Sequence, residues 1–212
     1  MNSGIKEEII QASYRLFKEK GYTATSMRQI ADACGIAVGN LSYHFPKKES
    51  IIMQIHNDLL NFFLENLPAN LYEHDPWVGY FAAEYSLATG LNFTEEIRRI
   101  YLDAINHPAL RNTYYTTHYK LFTDFMDGNY PANPSTMLTS TIAMCSLEFN
   151  MLEQFDINEG VDAFDELITK IFMAKVGFLG LPPNKYSVEI EKGIALGKRL
   201  HFDAVSQTVT FV

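Results

Sequence analysis

Residues Thr25–Phe45 read TSMRQIADACGIAVGNLSYHF, and this stretch decides the fold. Ile30, Cys34, Ile36 and Leu41 are spaced to face one small core. Ala31 sits where two helices come closest, and a larger side chain would push them apart. Gly35 stands where the first helix must end with φ > 0, which glycine reaches without a Cβ clash. Thr25 reads as the N-cap of a helix over 26–33. A second helix follows over about 37–44, and Pro46 interrupts it after Phe45. Two short helices crossing steeply through such a turn form a helix-turn-helix unit, whose second helix fits the DNA major groove.

The surrounding chain supplies a core for this unit. Ile5, Ile9, Ala12, Leu16 and Phe17 repeat at helical spacing, which predicts an amphipathic helix over 4–20 ended by Gly21. Its apolar face has a destination in Ile30, Ile36 and Leu41, giving a three-helix head. A fourth helix from Lys48 to about Leu67 carries Ile51, Ile52, Ile55, Leu59, Leu60 and Phe63. Its length suits a strut between head and body.

Charge separates the same two regions. The net charge is −8, which argues against a protein that coats nucleic acid. Residues 1–56 hold 7 Lys/Arg against 5 Asp/Glu, whereas residues 57–212 hold 10 against 20. An acidic body with a mildly basic head fits a protein that touches DNA through one small surface. A hydrophobic fraction of 47% marks a globular chain. No apolar run reaches the ~18 residues of a membrane helix, and MNSGIKEEII lacks an apolar signal segment, so the expected location is cytoplasmic, with no membrane partner. Cys34 and Cys145 fall on apolar faces of different regions and read as buried free thiols.

Residues 5–50 resemble the N-terminal domain of the TetR family of bacterial transcriptional regulators. The matching pieces are the Ile5–Gly21 helix ending in LFKEKGY, then TSMRQIA, then ACGIAVGNLSYHF, then PKKESI. The resemblance implies a DNA-binding domain over 1–47 and a helical ligand-binding and dimerisation domain over 48–212. It implies a repressor that binds a palindromic operator in double-stranded DNA as a homodimer. It also implies a small effector within the body, and a dimer interface from helices near 135–155 and 161–179. Many family members carry Ser or Thr at the position of Ala37, Tyr at that of Ser42, and Ser or Asn at that of Lys47.

Within the head, Ala37, Val38, Gly39 and Asn40 open the recognition helix, the end that meets base edges. Asn40 offers a donor and an acceptor to adenine, and Ala37 and Val38 suit a thymine methyl. Ser26, Arg28, Tyr43, His44, Lys47 and Lys48 are the expected phosphate partners, with Ser42 reaching less far and Thr25 completing the DNA-facing set. Tyr43 and His44 also read as ordinary surface or core residues.

The body is helical throughout by pattern, with helices near 76–91, 95–106, 108–127, 135–155, 161–179 and 185–203. Alternation suggestive of a strand is confined to Gln207–Val212. The fold class is therefore all-α. The 135–155 helix is apolar on two faces, Leu138, Ile142, Cys145, Phe149 and Leu152 on one, and Met137, Met144, Met151 and Phe155 on the other. It is either a central core helix or a core helix that also meets a second subunit. The 185–203 segment reads either as a weakly packed terminal helix or, through Gly193 and Gly197, as close-approach reinforcement of a dimer.

Aromatic residues crowd this body. Trp77, Phe81, Tyr85, Tyr101, Tyr115, His118, Phe122 and Met144 are read either as plain core or as the lining of an apolar effector cavity. Glu84, Asp103 and Glu148 interrupt apolar stretches. Each is either a solvent-facing carboxylate or an acidic group that, beside aromatic rings, suits a cationic effector. No tight group of metal ligands stands out, Asp103, His107 and His118 being the nearest to one, and no cofactor is implied. The chain has no glycine-rich phosphate loop, no G-x-S-x-G, no Cys-x-x-Cys and no H-E-x-x-H, so it reads as a non-enzyme. A helical sensor or adaptor acting through protein partners is the alternative function.

Overall fold

The structure is a computed structural model that describes residues 2–93, 95–105, 107–126, 134–203 and 208–211. Its helices are α1 (Asn2–Lys20), α2 (Met27–Ala33), α3 (Val38–His44), α4 (Lys48–Glu65), α5 (Pro76–Asn92), α6 (Glu95–Ile105), α7 (Pro108–Met126), α8 (Pro134–Gln154), α9 (Gly160–Phe178) and α10 (Ser187–Gly197). Strands β1 (Leu200–Asp203) and β2 (Thr208–Phe211) close the chain as an antiparallel hairpin, with Leu200 opposite Phe211. The fold is all-α apart from that hairpin. The expected helix ends at Asn106 and Asp127 and the strand ends at Gln207 and Val212 lie outside the described residues.

Two apolar cores organise the helices. The smaller one gathers Ile9, Phe17, Ile30, Leu41, Ile51 and Ile52, and it also takes in Ile100 from α6. The head core is therefore closed by the first turns of α4 and by a body helix. Arg99, next along α6, donates to the carbonyl of Lys18 near the end of α1. Arg98 turns the other way and donates to the carbonyls of Leu152, in the last turn of α8, and Phe155, just after it, each at 2.8 Å. One short helix thus holds the end of α1 and the end of α8.

The larger core is built around α5. Every residue from Val78 to Ala88 is buried, the pattern of a helix enclosed on all sides. The central helix is α5 and not the 135–155 segment, because α8 leaves Leu138 51% and Ile142 39% exposed. Met137, Met144, Cys145, Phe149 and Leu152 are buried, so the expected face from Leu138 to Leu152 is covered only in its later part. Cys34 is only half-buried, with Sγ 3.8 Å from the Glu8 carbonyl, whereas Cys145 is buried as expected.

The C-terminal segment departs most from its sequence pattern. The expected helix over 185–203 stops at Gly197, and the chain turns into β1. It is not weakly packed. A Cβ on Gly193 would stand 2.4 Å from Phe81 Cβ, and one on Gly197 would stand 2.8 Å from the Ala82 carbonyl oxygen. The two glycines serve close approach, as their spacing suggests, but to α5 of the same chain. An isolated two-stranded hairpin is marginal in water. Here Phe202 anchors it, buried against Phe63 of α4 with ring centroids 4.9 Å apart. Burial of such a side chain contributes roughly 1.5–3 kcal/mol. No helix among the described residues is long and apolar enough to cross a membrane.

Candidate nucleic-acid interface

The turn between α2 and α3 follows from three residues. Gly35 has φ +64°. Its N–H donates to Asp32 O at 3.1 Å, while the Ile36 N–H donates to Ala31 O at 3.0 Å. This paired closure is the Schellman motif, which needs a residue in the left-handed region. Ala31 and Ile30 are fully buried below it, and Leu41 and Phe45 of the next helix meet them.

The start of α2 corrects one expectation. Thr25 is not the N-cap. Its side chain is buried and its hydroxyl donates to Gly21 O at 2.8 Å, fixing the loop after α1. Ser26 is the cap: Gln29 N–H donates to Ser26 Oγ at 3.3 Å, and Gln29 Oε1 accepts from the Ser26 backbone N–H at 2.8 Å. This reciprocal pair is a capping box. Ala37 stands at the N-cap of α3 and provides no side-chain cap.

Lys48 is the second departure. Its ammonium donates to Tyr22 O at 2.6 Å and Thr25 O at 2.7 Å, and lies 4.2 Å from the centre of the Tyr22 ring. Those donors hold the 22–25 loop onto the first turn of α4 and are not directed outward. The fastening ties the head to the start of α4. Asp103 of α6 lies on this same side, where its charge acts on Tyr22 and Lys48.

The outer face of the unit is a continuous exposed surface. Ala37, Val38, Gly39, Asn40, Ser42 and Tyr43 are exposed along α3, while Leu41 between them is fully buried. Tyr43 is 77% exposed and meets His44 edge-on at 5.2 Å. His44 is half-buried, and Ser26, Arg28 and Lys47 are exposed around the same unit. Leu41 and Phe45 point inward, while Val38, Asn40, Ser42 and Tyr43 stand outward. That division leaves α3 free to enter a groove of DNA.

The body residues expected to line an effector cavity are mostly committed to one another. Trp77 packs on Phe122 at 5.9 Å and Phe81 stacks on Phe172 at 4.8 Å. Tyr85 donates its hydroxyl to Asp165 at 2.8 Å, and the Tyr115 hydroxyl lies 3.3 Å from Ser146 Oγ. Tyr101 and Met144 are buried in the same core.

Glu84 and Glu148 do not face solvent, and their charge is already answered from within. Lys175 of α9, only 2% exposed, places Nζ 2.5 Å from Glu84 and 2.9 Å from Glu148. His118 Nδ1 lies 2.7 Å from the other oxygen of Glu84. Burial opposes ionisation of Glu84, but His118 and Lys175 outweigh it and hold the carboxyl down at about 2. Burial likewise works against the Lys175 ammonium, and the two carboxylates outweigh it and raise its pKa well above the usual lysine value. Glu84, His118 and Glu148 bring three ligand-capable atoms within 4.8 Å of one another. Lys175 stands between the two carboxylates, so the expected attraction for a cationic effector is met by the protein's own ammonium.

Sequence reasoning missed Lys175. It lies on the face of α9 that carries Ile168, Ile171, Phe172 and Val176, all fully buried. A lysine at that phase is a readable sign of a buried cation, and a buried cation requires a counter-charge.

Comparison with known proteins gives the same outline. The profile of bacterial regulatory proteins of the tetR family matches residues 9–55. The HTH-type transcriptional repressor KstR2 of Rhodococcus jostii is 42% identical over 65 residues, which are 31% of this chain and 30% of that protein. The match therefore spans under a third of that relative. A TetR transcriptional regulator from Rhodococcus sp. RHA1 superposes with a TM-score of 0.62 at 16% identity, covering 84% of this chain and 97% of that one. FadR of Thermus thermophilus, a TetR-family repressor solved in complex with lauroyl-CoA, superposes with a TM-score of 0.52 at 15% identity over 92% and 93% of the two chains.

Proposed function

We propose that the chain is a member of the TetR family of bacterial regulatory proteins, whose profile matches residues 9–55, and that it is a sequence-specific DNA-binding transcriptional repressor, working as a homodimer and modulated by a small effector. The observation that carries this reading is the exposed face of α3. Val38, Gly39, Asn40 and Tyr43 lie outward above a fully buried Leu41. Asn40 reads a base edge, Ala37 and Val38 meet a thymine methyl, and Ser26, Arg28, Ser42, Tyr43, His44 and Lys47 hold phosphates. Thr25 and Lys48 belong to the scaffold of this surface, because their polar atoms bond to backbone carbonyls of the head.

Dimerisation through α8 and α9 is supported by what these helices leave uncovered. Leu138 and Ile142 on α8 and Val161 and Phe178 on α9 are all at least 39% exposed. Exposed large apolar side chains on two neighbouring helices, with Phe178 near Leu138 and Ile142 and Val161 at the other end of α9, favour a covering partner, and two-fold pairing brings two heads to successive major grooves about 34–36 Å apart. Effector control is supported by the link from α6 to α1 and α8, and by the structural likeness to FadR, which is solved with a ligand.

Selection from random duplex DNA tests the reading. Recovery of a two-fold symmetric site with half-sites one or more helical turns apart is the expected result. Enrichment of no symmetric site would leave the helical sensor acting through protein partners as the better account.

A further inference from the structure

At the joint of head and body, α4 leans against α1 and α6 across a narrow cleft. Tyr14 of α1, Ile52, His56 and Leu59 of α4, and Ile97 and Ile100 of α6 form its walls. Its free volume is about 20 Å³, room for about one water. The walls are apolar except for tyrosine and His56. His56 is 5% exposed, and its Nε2 has no hydrogen-bond partner among the described residues. Its ring packs beside Tyr101 and Tyr114, with centroids 6.4 and 6.3 Å away. A buried polar atom without a partner is uncommon in native proteins and calls for a reason.

We propose that this cleft is the effector site, and that its effector is a compact apolar molecule bearing one hydroxyl group, such as a phenol or a branched alcohol. The proposal rests on the regulator reading above and locates its control point at the strut, away from the filled aromatic body. The chemistry follows from His56. Burial, with a smaller contribution from the charge of His118, lowers its pKa to about 4, so it is neutral at physiological pH. Nε2 of a neutral imidazole either donates or accepts according to the tautomer, and a hydroxyl satisfies either one. A carboxylate or ammonium would enter an apolar cleft with no opposing charge on its walls.

The site's position turns binding into movement. Any molecule larger than water fits only when α4 shifts away from α1 and α6. Such a ligand binds the opened geometry better than the closed one, which is the condition for shifting the equilibrium. The head is fastened to α4 by Lys48, Ile51 and Ile52, so the displaced strut carries the head with it. The effector acts as a wedge.

Phenol and toluene test the assignment, since they match in size and differ in the hydroxyl. Both are titrated into the full chain without DNA, following the thermal midpoint and the imidazole ¹⁵N resonances. Phenol is expected to raise the midpoint, move the His56 signal and bind about tenfold tighter than toluene. His56→Leu should erase that preference while keeping toluene binding, and Leu59→Trp, which fills the cleft, should remove both. An equal response of wild type and His56→Leu to phenol, including no response from either, overturns the proposal. Because DNA is absent, that failure leaves the DNA-binding reading standing. A normal phenol response alongside a failed DNA selection would break the regulator reading and spare the site.

Discussion

Head and body each draw one lysine away from solvent, and they do so with different partners. Lys48 donates hydrogen bonds to the neutral carbonyls of Tyr22 and Thr25. Lys175 lies between the carboxylates of Glu84 and Glu148. The first lysine fastens a loop to a strut and leaves the head's charge balance unchanged. The second joins α9 to α5 and α8, the last of which it reaches through Glu148, and pairs charge in an interior that could not hold it unpaired. The comparison separates two kinds of surface as well. The head keeps its chemistry outside on α3, and the body keeps its chemistry inside.

The largest expected effect breaks the body's half of this contrast. Lys175→Met leaves two buried carboxylates without their cation and should cost roughly 3–5 kcal/mol of folding stability in a denaturant titration. A loss below about 1 kcal/mol would mean that the cluster is hydrated or rearranged.

Asn40→Ala is the counterpart in the head. It should weaken operator binding by about 1–3 kcal/mol and relax one base position, while stability changes by no more than about 0.5 kcal/mol because the side chain is exposed. Lys48→Met sharpens the comparison between the two lysines. Loss of a charged hydrogen-bond donor should cost about 1–3 kcal/mol of stability. Its salt dependence of DNA binding should stay that of wild type, whereas Lys47→Ala should lower the salt slope by about one phosphate contact. A lowered slope for Lys48→Met would return Lys48 to the DNA surface.

Acid unfolding gives the most graded effect, because each contribution is lost over a window of pH. His56 is lowered from 6.5 to about 4 by burial, so its unfolded form takes up a proton first. The stability it contributes is complete above pH 6.5 and is lost as pH falls towards 4. Glu84 is lowered from 4.5 to about 2, so its contribution is complete above 4.5 and drains between 4.5 and 2. His56→Leu should flatten the upper window of a stability-versus-pH curve and leave the lower one in place.

How far the sequence could be read follows from the range of each interaction. The head is local: Gly35, Ile36 and Ala31 close the turn within six residues, and Ser26 is capped by Gln29 three residues on. Spacing alone reveals such contacts, although it placed the cap one residue early. The helices of the body were readable from their periodicity, but their partners were not. Glu84 and Lys175 are 91 residues apart, and nothing in the neighbourhood of Glu84 announces the lysine. The central place of α5 was obscured by Glu84 itself, whose charge makes a buried stretch look partly solvated. The C-terminal strand at Leu200 was read as helix because Leu196 and Leu200 keep helical spacing across Gly197.

The most direct test of the central claim is an anisotropy titration of the selected duplex across a salt series, comparing wild type with Asn40→Ala. The account predicts weaker binding by Asn40→Ala, reduced discrimination at one base pair, and an unchanged salt slope and thermal midpoint. Equal affinity and equal discrimination for the two proteins would contradict it, and would mean that α3 does not read the DNA.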